Sequence, residues 1–376
     1  MSKVVLMKCA DYAPEEIREK IEHALRILKV DFADKKKILL KPNLLMRKKP
    51  EDAVTTHPTV VQAMIEILKG FSVEAVVAES PGGPYTKRRL EGIYEATGIK
   101  GICDNTGAFL NYDTSWFEKN FEEGYMLKKI PFISPLKDCD GLISLAKLKT
   151  HGMAVYTGAV KNLYGLIPGG QKVELHFKMQ QLDRFMDMLL DIYLASRPML
   201  SVIDGIVAME GSGPSAGVPR KLGVLIVSQD GIAADFVASK IIGLNINDFP
   251  LLKCAIKRGL FREDGVEVVG DRLEEINVKD FKFPKKKDVL FLKGLLPVWL
   301  ENYFKAWLTP KPVFIHKKCI GCKECFNTCP AKAIMMVNKR PVVDLDKCIR
   351  CYCCHELCPE KAINIDRAFI FKTILK

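Results

Sequence analysis

The sequence predicts an α/β fold for residues 1–283, in which a parallel or mixed sheet carries helices on both faces, followed by a small cysteine-rich α+β domain. The first prediction rests on short runs of Val, Ile and Leu that alternate with segments of helical periodicity. Such alternation is typical of α/β proteins. The second rests on the cysteines, because nine of the 13 lie between residues 319 and 358.

Six segments are predicted as strands because each is short, aliphatic and bounded by turn residues. They are residues 4–7, 38–41, 74–78, 141–145, 201–204 and 223–227. Helices are predicted to begin at Pro14, which precedes two glutamates, and at the His57-Pro58 pair. A third helix is predicted over residues 230–243, which end in glycine.

Residues 284–312 are basic and aromatic, and they are predicted to form a linker between a domain of residues 1–283 and one of residues 313–376. A KKK run precedes LFLKGLLPVWLENYFKAWL, in which Pro297 is suited to the first position of an amphipathic helix. Two interpretations stay open. The helix packs the second domain onto the first, or it lies on a membrane surface together with the tail RAFIFKTILK.

Two cysteine runs, CIGCKECFNTCP and CIRCYCCHELCP, repeat the spacing C-x2-C-x2-C-x3-C-P. This is the bacterial two-cluster ferredoxin pattern, in which the fourth cysteine of each run binds the other cluster. A ferredoxin-like domain with two [4Fe-4S] clusters is therefore predicted. The predicted ligands are Cys319, Cys322, Cys325 and Cys358 for the first cluster, and Cys348, Cys351, Cys354 and Cys329 for the second.

Zinc and disulfides are the alternatives for these cysteines, and the sequence disfavours both. Zinc sites usually contain two CxxC pairs, not a triple followed by Cys-Pro. A 376-residue chain is long enough to form a core without disulfides. Cys353 falls outside the repeated intervals and is predicted not to bind iron. The four remaining cysteines are predicted to be small buried apolar residues: Cys9, Cys103, Cys139 and Cys254.

The net charge of +12 is concentrated towards the C-terminus, where residues 316–376 hold 12 Lys and Arg against 6 Asp and Glu. A basic electron-transfer surface suits an acidic redox partner or an anionic membrane face. We expect no nucleic-acid partner, since no reader motif is present. The chain shows neither a signal-peptide h-region nor ~18 consecutive apolar residues. We therefore expect a cytoplasmic protein, or one peripheral at the inner face of a membrane, in an anaerobic, reducing setting.

The first 280 residues contain no P-loop, GxGxxG motif or serine nucleophile elbow. They contain seven polar clusters instead. The clusters are LLKPNL, TTHP, AESPGG, AKLKTH, VKNLYGLIPGGQK, IDGIVAMEGSGP and SQDGIAAD. Their order and wording resemble the "domain of unknown function 362" family, whose members often carry a C-terminal pair of [4Fe-4S] motifs. The resemblance covers nearly all of residues 1–280 and implies no particular reaction.

Most of these clusters lie where a predicted strand gives way to a loop, which is where α/β proteins place their sites. Lysines supply positive charge and glycines let backbone N–H groups approach an oxyanion, so an unidentified anionic cofactor or substrate is predicted. The catalytic candidates are His151, Lys161, Lys41 and His57. The binding candidates are Asn43, Glu79, Lys149, His176 and Asp204. Glu210 and Asp235 add carboxylates, although capping and flanking a helix is the favoured role for Asp230 and Asp235.

Three functions stay open at this point. The first is a ferredoxin-linked oxidoreductase, or a subunit of one, that passes electrons through the clusters to the N-terminal site. The second is a non-catalytic electron-transfer or maturation partner that docks on another protein. The third follows from a resemblance: His151, Lys161 and His176 are similar in order to the residues that hold the nickel-pincer nucleotide in lactate-racemase-like proteins. That resemblance implies an isomerase with Lys161 as covalent tether and His176 as nickel ligand.

Overall fold

A computed structural model of the chain describes residues 1–276, 278–284 and 310–366. The chain divides into two compact units, Met1–Phe283 and a second that begins at Pro284. Of the predicted linker, residues 284–312, residues 285–309 lie outside the described residues, as does the tail after residue 366. The linker is predicted one or two residues too long, since a strand of the second unit begins at Lys311. Every helix in the described ranges is too short or too polar to cross a bilayer.

A mixed sheet, nine-stranded in the described residues, forms the centre of the first unit. The strands of this unit are β1 (Ser2–Lys8), β2 (Lys37–Pro42), β3 (Glu74–Val77), β4 (Phe109–Leu110), β5 (Trp116–Asn120), β6 (Lys129–Ile133), β7 (Gly141–His151), β8 (Val155–Thr157), β9 (Leu200–Glu210), β10 (Val218–Ser228) and β11 (Val266–Gly270). The order across the sheet is β11-β1-β10-β9-β7-β2-β3-β4, with β8 paired to β7 and β5–β6 forming a separate hairpin. Strands β9, β7, β2, β3 and β4 are mutually parallel, so their carboxyl ends share one edge.

Helices cover both faces of this sheet, as the sequence predicts. They are α1 (Pro14–Leu28), α2 (Pro58–Gly70), α3 (Lys87–Ala96), α4 (Ile99–Thr106), α5 (Ala159–Asn162), α6 (Gly169–Lys178), α7 (Leu182–Ser196), α8 (Gly231–Ile241) and α9 (Pro250–Lys257). Strand β2 shows the two layers, because Ile38 and Leu40 pack with α1–α4 while Leu39 packs with α5–α9. The alternation follows from the two-residue period of a strand.

The six predicted strands and three helix starts are present, but three strands continue beyond their predicted ends. Strand β7 reaches His151, β9 reaches Glu210, and β10 begins at Val218. The prediction that residues 145 and 204 end their strands is therefore wrong. The extensions of β7 and β9 carry the buried residues Lys147, Lys149 and Glu210, whose charged side chains are more typical of loops. Helix α2 is capped by His57 and α8 by Asp230, whose side chains accept backbone N–H groups.

The second unit is a small α+β fold, in agreement with the sequence. Its strands are β12 (Lys311–Phe314), β13 (Ile334–Val337), β14 (Arg340–Val343) and β15 (Ile363–Asp366). Strand β12 pairs with β15, and β13 pairs with β14, both antiparallel. Each cysteine run contains a one-turn helix before its fourth cysteine, Glu324–Asn327 in the first run and Cys353–Glu356 in the second.

Candidate functional site

The eight motif cysteines line two separate cavities of the second unit, in the crossed grouping that the spacing predicts. Cys319, Cys322 and Cys325 of the first run share one cavity with Cys358. The second cavity is lined by Cys348, Cys351, Cys354 and Cys329. Cys353 lines neither of these two cavities.

Apolar side chains complete both cavities. Phe314 and Met336 line the first, while Ile334, Val343 and Tyr352 line the second. These walls exclude water, which is one of the factors that set cluster potentials. Four thiols around an apolar hollow therefore fit an iron–sulfur cubane at each position.

The backbone conformation of the cysteine runs is also suited to binding a cluster. Gly321 has φ +71°, and a Cβ there would lie 3.0 Å from the carbonyl oxygen of Lys339, so the turn favours glycine. The amides of Ala333 and Ala362 each donate to a cysteine sulfur, Cys329 and Cys358 respectively, at 3.2 Å. Hydrogen bonds to cluster sulfurs raise the potential of a bound cluster.

In the first unit, Lys41 and Glu79 form a buried ion pair at the carboxyl edge of the sheet. The Lys41 Nζ atom lies 2.7 Å from Glu79 Oε2, 2.7 Å from the carbonyl oxygen of Pro42 and 3.3 Å from Asn162 Oδ1. Burial lowers the pKa of Lys41, and the Glu79 carboxylate opposes that effect. All three ammonium hydrogens therefore have protein acceptors.

Gly165 closes this pair from the side of α5 and α6. A Cβ at this position would overlap both Glu79 Oε1 and Lys41 Nζ. No side chain fits in that space without moving the ion pair. The glycine in YGLIPGG is thus required by the close approach of backbone to charge.

Lys149 joins this network through Asn43, which follows β2. Its Nζ atom donates to Asn43 Oδ1 at 2.7 Å and to the carbonyl oxygen of Val54 at 2.6 Å. The Asn43 side-chain amide in turn donates to Asn162 Oδ1 at 3.3 Å. A continuous polar chain therefore runs from Lys149 to Glu79 around the end of β2.

A second buried pair, Lys147 and Asp204, lies on the opposite face of the sheet. The two residues are register partners on the parallel strands β7 and β9, and their charged atoms are 2.9 Å apart. The Tyr12 hydroxyl donates to Asp204 Oδ1 at 2.9 Å and accepts from Lys147 Nζ at 2.8 Å. Desolvation of both charges is thereby offset by close hydrogen bonds.

His57 stacks on Tyr12 beside this pair. The ring centroids are 3.5 Å apart, and the backbone N–H of His57 donates to Asp204 Oδ2 at 3.0 Å. Burial lowers the pKa of His57 to about 4. The imidazole is therefore neutral at pH 7, with Nδ1 accepting the amide hydrogen of Thr59.

His151 ends strand β7 and is buried. Its Nδ1 atom accepts the backbone N–H groups of Met153 and Ala154, at 3.1 and 3.2 Å. An Nδ1 that accepts two hydrogen bonds fixes the neutral tautomer with the proton on Nε2. The ring orientation is thus set by the turn that joins β7 to β8.

Three half-buried basic residues, Lys161, Lys172 and His176, lie on the α5–α6 side of the same edge. The His176 ring stacks on Phe185, with centroids 4.7 Å apart, and meets Tyr164 edge-on. Burial, followed by the charges of Lys161 and Lys172, lowers the pKa of His176 to about 3. In the described ranges no three His, Cys, Asp or Glu side chains converge as ligands of a single metal ion.

The remaining carboxylates bind backbone amides. Asp235 accepts the N–H groups of Ala159 and Val160 at 2.6 and 3.0 Å, and burial raises its pKa to about 7. Glu210 accepts the N–H of Lys282 at 3.1 Å. Asp235 does not flank α8 but lies within it, and its carboxylate accepts the N–H groups at the start of α5.

Residues 38–240 match the family described as "Domain of unknown function (DUF362)", and residues 311–359 match the "4Fe-4S dicluster domain". The chain belongs to the DUF362 family. A thylakoid-associated protein of Synechocystis sp. is 31% identical over 230 residues, which are 60% of this chain and 68% of that protein. Both the predicted family and the predicted cluster-binding domain are thereby confirmed.

Two solved structures are similar to parts of this DUF362 protein. The lactate racemase apoprotein from Thermoanaerobacterium thermosaccharolyticum is 14% identical with a TM-score of 0.37, over 62% of this chain and 56% of that one. A protein from Thermotoga maritima is 15% identical with a TM-score of 0.36, over 62% and 59%. The chain thus spans less than two thirds of either solved protein.

The first unit brings the predicted site residues to the carboxyl edge of the sheet but divides them between its two faces. Lys41, Asn43, Glu79 and Lys149 are connected by hydrogen bonds, whereas His57 and Asp204 belong to the Tyr12 cluster. Lys161 and His176 lie near each other on the α5–α6 side. The predicted strand-to-loop placement is wrong for Lys149 and His151, which lie within β7, and for Asp204, after which β9 continues to Glu210.

Sequence reasoning missed four polar residues of these clusters: Tyr12, Lys147, Asn162 and Lys172. Lys147 and Lys149 alternate with apolar residues in AKLKTH, which is the two-residue period of a strand. That alternation was the available signal for Lys147. Tyr12 and Asn162 join these clusters through tertiary contacts, and no local sequence pattern indicates their involvement.

Proposed function

We propose that this DUF362 protein is an iron–sulfur electron-transfer protein in which two [4Fe-4S] clusters supply electrons to a substrate or cofactor held by the first unit. The crossed grouping of the eight cysteines around two apolar cavities carries this proposal. When bound there, such clusters accept and donate single electrons. The protein contributes the thiolates, the N–H groups directed at sulfur and the exclusion of water.

The half-buried residues at the carboxyl edge of the sheet support a ligand site in the first unit. Asn43, His57, Lys161 and His176 keep part of their side chains accessible there. Lys41, Glu79, Lys149 and Asp204 are buried and hydrogen-bonded within the protein, so we assign them to positioning these neighbours. His151, with its fixed tautomer, is suited to holding a proton on Nε2.

A second function is that of a carrier that docks on another protein. It is favoured because the buried lysines are already hydrogen-bonded by protein groups. The ammonium groups of Lys41 and Lys147 are bound by protein acceptors, which reduces their value for substrate chemistry. In the second unit Ile320 is 66% exposed beside Cys319. Lys317 and Lys323 are exposed in the same run. These side chains fit an acidic redox protein, and the thylakoid-associated relative favours peripheral contact with a membrane.

The test is anaerobic purification of the full chain, with metal analysis, electron paramagnetic resonance and mass spectrometry of retained small molecules. We expect about eight iron atoms per chain and a signal after dithionite reduction. Well under eight iron atoms with no signal would remove the proposal. Nickel in stoichiometric amount would favour the isomerase hypothesis instead.

Reoxidation kinetics then separate the two redox functions. The retained compound is added to the reduced protein, and cluster absorbance is followed. An enzyme is reoxidised by that compound alone, whereas a carrier is reoxidised only after an acidic redox protein is added.

A further inference from the structure

The two cysteine runs differ in how far they enclose their cavities. Ile320, Cys322 and Lys323 line the first cavity and are exposed. None of the described residues that line the second cavity is exposed, and none is a Lys, Arg, Asp or Glu residue. A cluster in the first cavity therefore lies directly behind solvent-accessible side chains, whereas the described neighbours of one in the second are buried or half-buried.

The difference between the cavities follows from side chains and not from the course of the backbone. The two runs align as CIGCKEC and CIRCYCC, so that Lys323 corresponds to Tyr352 and Glu324 to Cys353. Lys323 and Tyr352 both have a left-handed backbone, with φ +65° and +63°, and each precedes a one-turn helix. Equivalent positions of the repeat thus carry a charged pair in one run and an uncharged pair in the other.

The second run buries both of its side chains at these positions. Tyr352 lines the second cavity, is 6% exposed and donates its hydroxyl hydrogen to the carbonyl oxygen of Pro310 at 2.8 Å. Cys353 is 8% exposed. In the first run Lys323 is exposed and Glu324 is half-buried. The Tyr352 ring thus covers the second cavity at the position where the first is open to solvent.

Basic residues surround the open side of the first cavity. The Arg340 guanidinium donates to the carbonyl oxygens of His316 and Cys319, which holds the start of β14 beside the first run. The exposed basic residues of these two segments are Lys317, Lys318, Lys323, Lys339 and Arg340. The acidic residues that line the cavity are Glu324 and Glu360, so positive charge predominates.

The corresponding part of the second run has balanced charges. Within four positions of Cys348 lie two basic and two acidic residues: Lys347, Arg350, Asp344 and Asp346. Lys347 and Asp344 form an ion pair at 3.4 Å. The same interval around Cys319 contains three lysines and neither Asp nor Glu. The basic surplus therefore belongs to the surroundings of the first cavity.

We propose that Ile320 and the five exposed basic residues around it form the docking surface for an acidic redox protein, and that this partner exchanges electrons with the first cluster and not with the second. Protein interfaces place an apolar centre within a polar rim, and Ile320, which is 66% exposed, supplies such a centre. Opposite charge on the partner would orient it and speed its association. The inference names the partner class of the proposed function and rests on it, because both clusters must be bound.

The electron exchange is a simple outer-sphere step. One electron leaves the reduced first cluster and reduces the redox group of the partner. No bond is formed or broken, and no proton is transferred.

The test measures electron transfer from the reduced full chain, freed of excess dithionite, to two haem proteins of opposite charge. Soluble cytochrome b5 is the acidic probe and cytochrome c the basic one, and stopped-flow absorbance follows reduction of each ferric haem under anaerobic conditions. We expect the rate with cytochrome b5 to fall as salt is added, because salt screens attraction between opposite charges. The rate with cytochrome c should not fall.

Two charge reversals then locate the surface that the acidic probe uses. Lys323→Glu changes the wall of the first cavity, whereas Lys347→Glu changes the net charge equally but precedes Cys348, a ligand of the second cluster. Lys347 is a matched control because its side chain is 70% exposed. At low salt we expect Lys323→Glu to slow the reduction of cytochrome b5 about three- to tenfold and Lys347→Glu to change it less than about twofold.

Iron content and the electron paramagnetic resonance signal are measured on the same samples. If either reversal loses iron, Lys323→Gln and Lys347→Gln replace the pair, with the same order of effects expected. A larger effect at Lys347 would assign the exchange to the second cluster, and equal effects would show that only net charge matters. Either result, or no effect at Lys323, would overturn the inference.

These outcomes are distinct from failure of the proposed function. Protein with about eight iron atoms and an intact signal, but the wrong order of rates, removes the docking surface alone. A chain without iron and without the signal removes the electron-transfer proposal and this inference with it.

Discussion

The two units use burial in different ways. In the first, two extensive apolar clusters enclose ion pairs such as Lys41–Glu79 and Lys147–Asp204, in which protein groups accept the hydrogen bonds of both ammonium groups. In the second, the described core cluster has three buried members, Ile334, Cys354 and Ile363. The eight motif cysteines line the two cavities. The comparison indicates that the first unit is stabilised by its own side chains and the second by what its cysteines bind.

The small size of the described cysteine-rich part of the second unit, residues 310–366, supports this difference. A domain below about 70–80 residues rarely gains enough free energy from its apolar core alone and usually needs disulfides or metal. All cysteines in the described residues are free thiols. Since metal-binding free energy then becomes folding free energy, the second unit should depend on its clusters.

The largest expected effect follows from removing the clusters. In the iron-free full chain, or after Cys354→Ser, we expect the second unit to lose its protection against hydrogen exchange while the first unit keeps it. Peptide-resolved hydrogen exchange by mass spectrometry measures both in one sample. Cys139→Ser, a partly buried cysteine of the first unit, is the matched control and should leave the second unit unchanged. Full protection of residues 310–366 without iron would contradict the comparison.

Much of the fold follows from local sequence. The aliphatic runs place β1, β2 and β3, and Pro14, Pro58 and Asp230 mark helix starts, because capping and proline rules act within a few residues. The missed strands, such as β4 and β8, are two or three residues long and are formed by pairing with neighbours. The local sequence of such short segments does not indicate which strands they will pair with.

The two sites also differ in how far local sequence predicts them. The cysteine grouping is predictable because a cluster fixes the intervals between its ligands. The edge of the sheet is not, since Lys147 meets Tyr12 across 135 positions of sequence and Lys41 meets Asn162 across 121. A lysine inside a strand also looks like a loop residue until its buried partner is known.

The next effect concerns the ion pair between β7 and β9. Asp204→Ala leaves the Lys147 ammonium buried without its partner, and the expected loss is about 3–5 kcal/mol in the free energy of unfolding of the first unit. Urea denaturation followed by circular dichroism measures it. The double variant Lys147→Met/Asp204→Leu should recover part of the loss, because it removes both charges while Tyr12 stays without its acceptor.

An exposed pair supplies the control for that measurement. Arg262 and Asp264 are 2.7 Å apart but largely exposed, so Asp264→Ala should give no resolvable change. An equal loss from Asp264→Ala and Asp204→Ala would mean that burial does not distinguish these pairs. The account of the first unit would then be wrong.

The smallest effect uses two glycines five positions apart. A methyl group at Gly165 would press on Glu79 and Lys41, so Gly165→Ala should cost about 1–3 kcal/mol through overpacking. Gly170 lies exposed in α6, where a Cβ would have no atom within 4 Å, and Gly170→Ala should stabilise the helix by about 0.5–1 kcal/mol. Thermal unfolding of both variants tests the sign. Opposite signs are expected because the two positions share a sequence context but differ in what surrounds the new methyl group. If Gly165→Ala left the stability unchanged, the Lys41–Glu79 pair would be able to move away from the new methyl group. The close approach of the backbone would then not hold the pair in place.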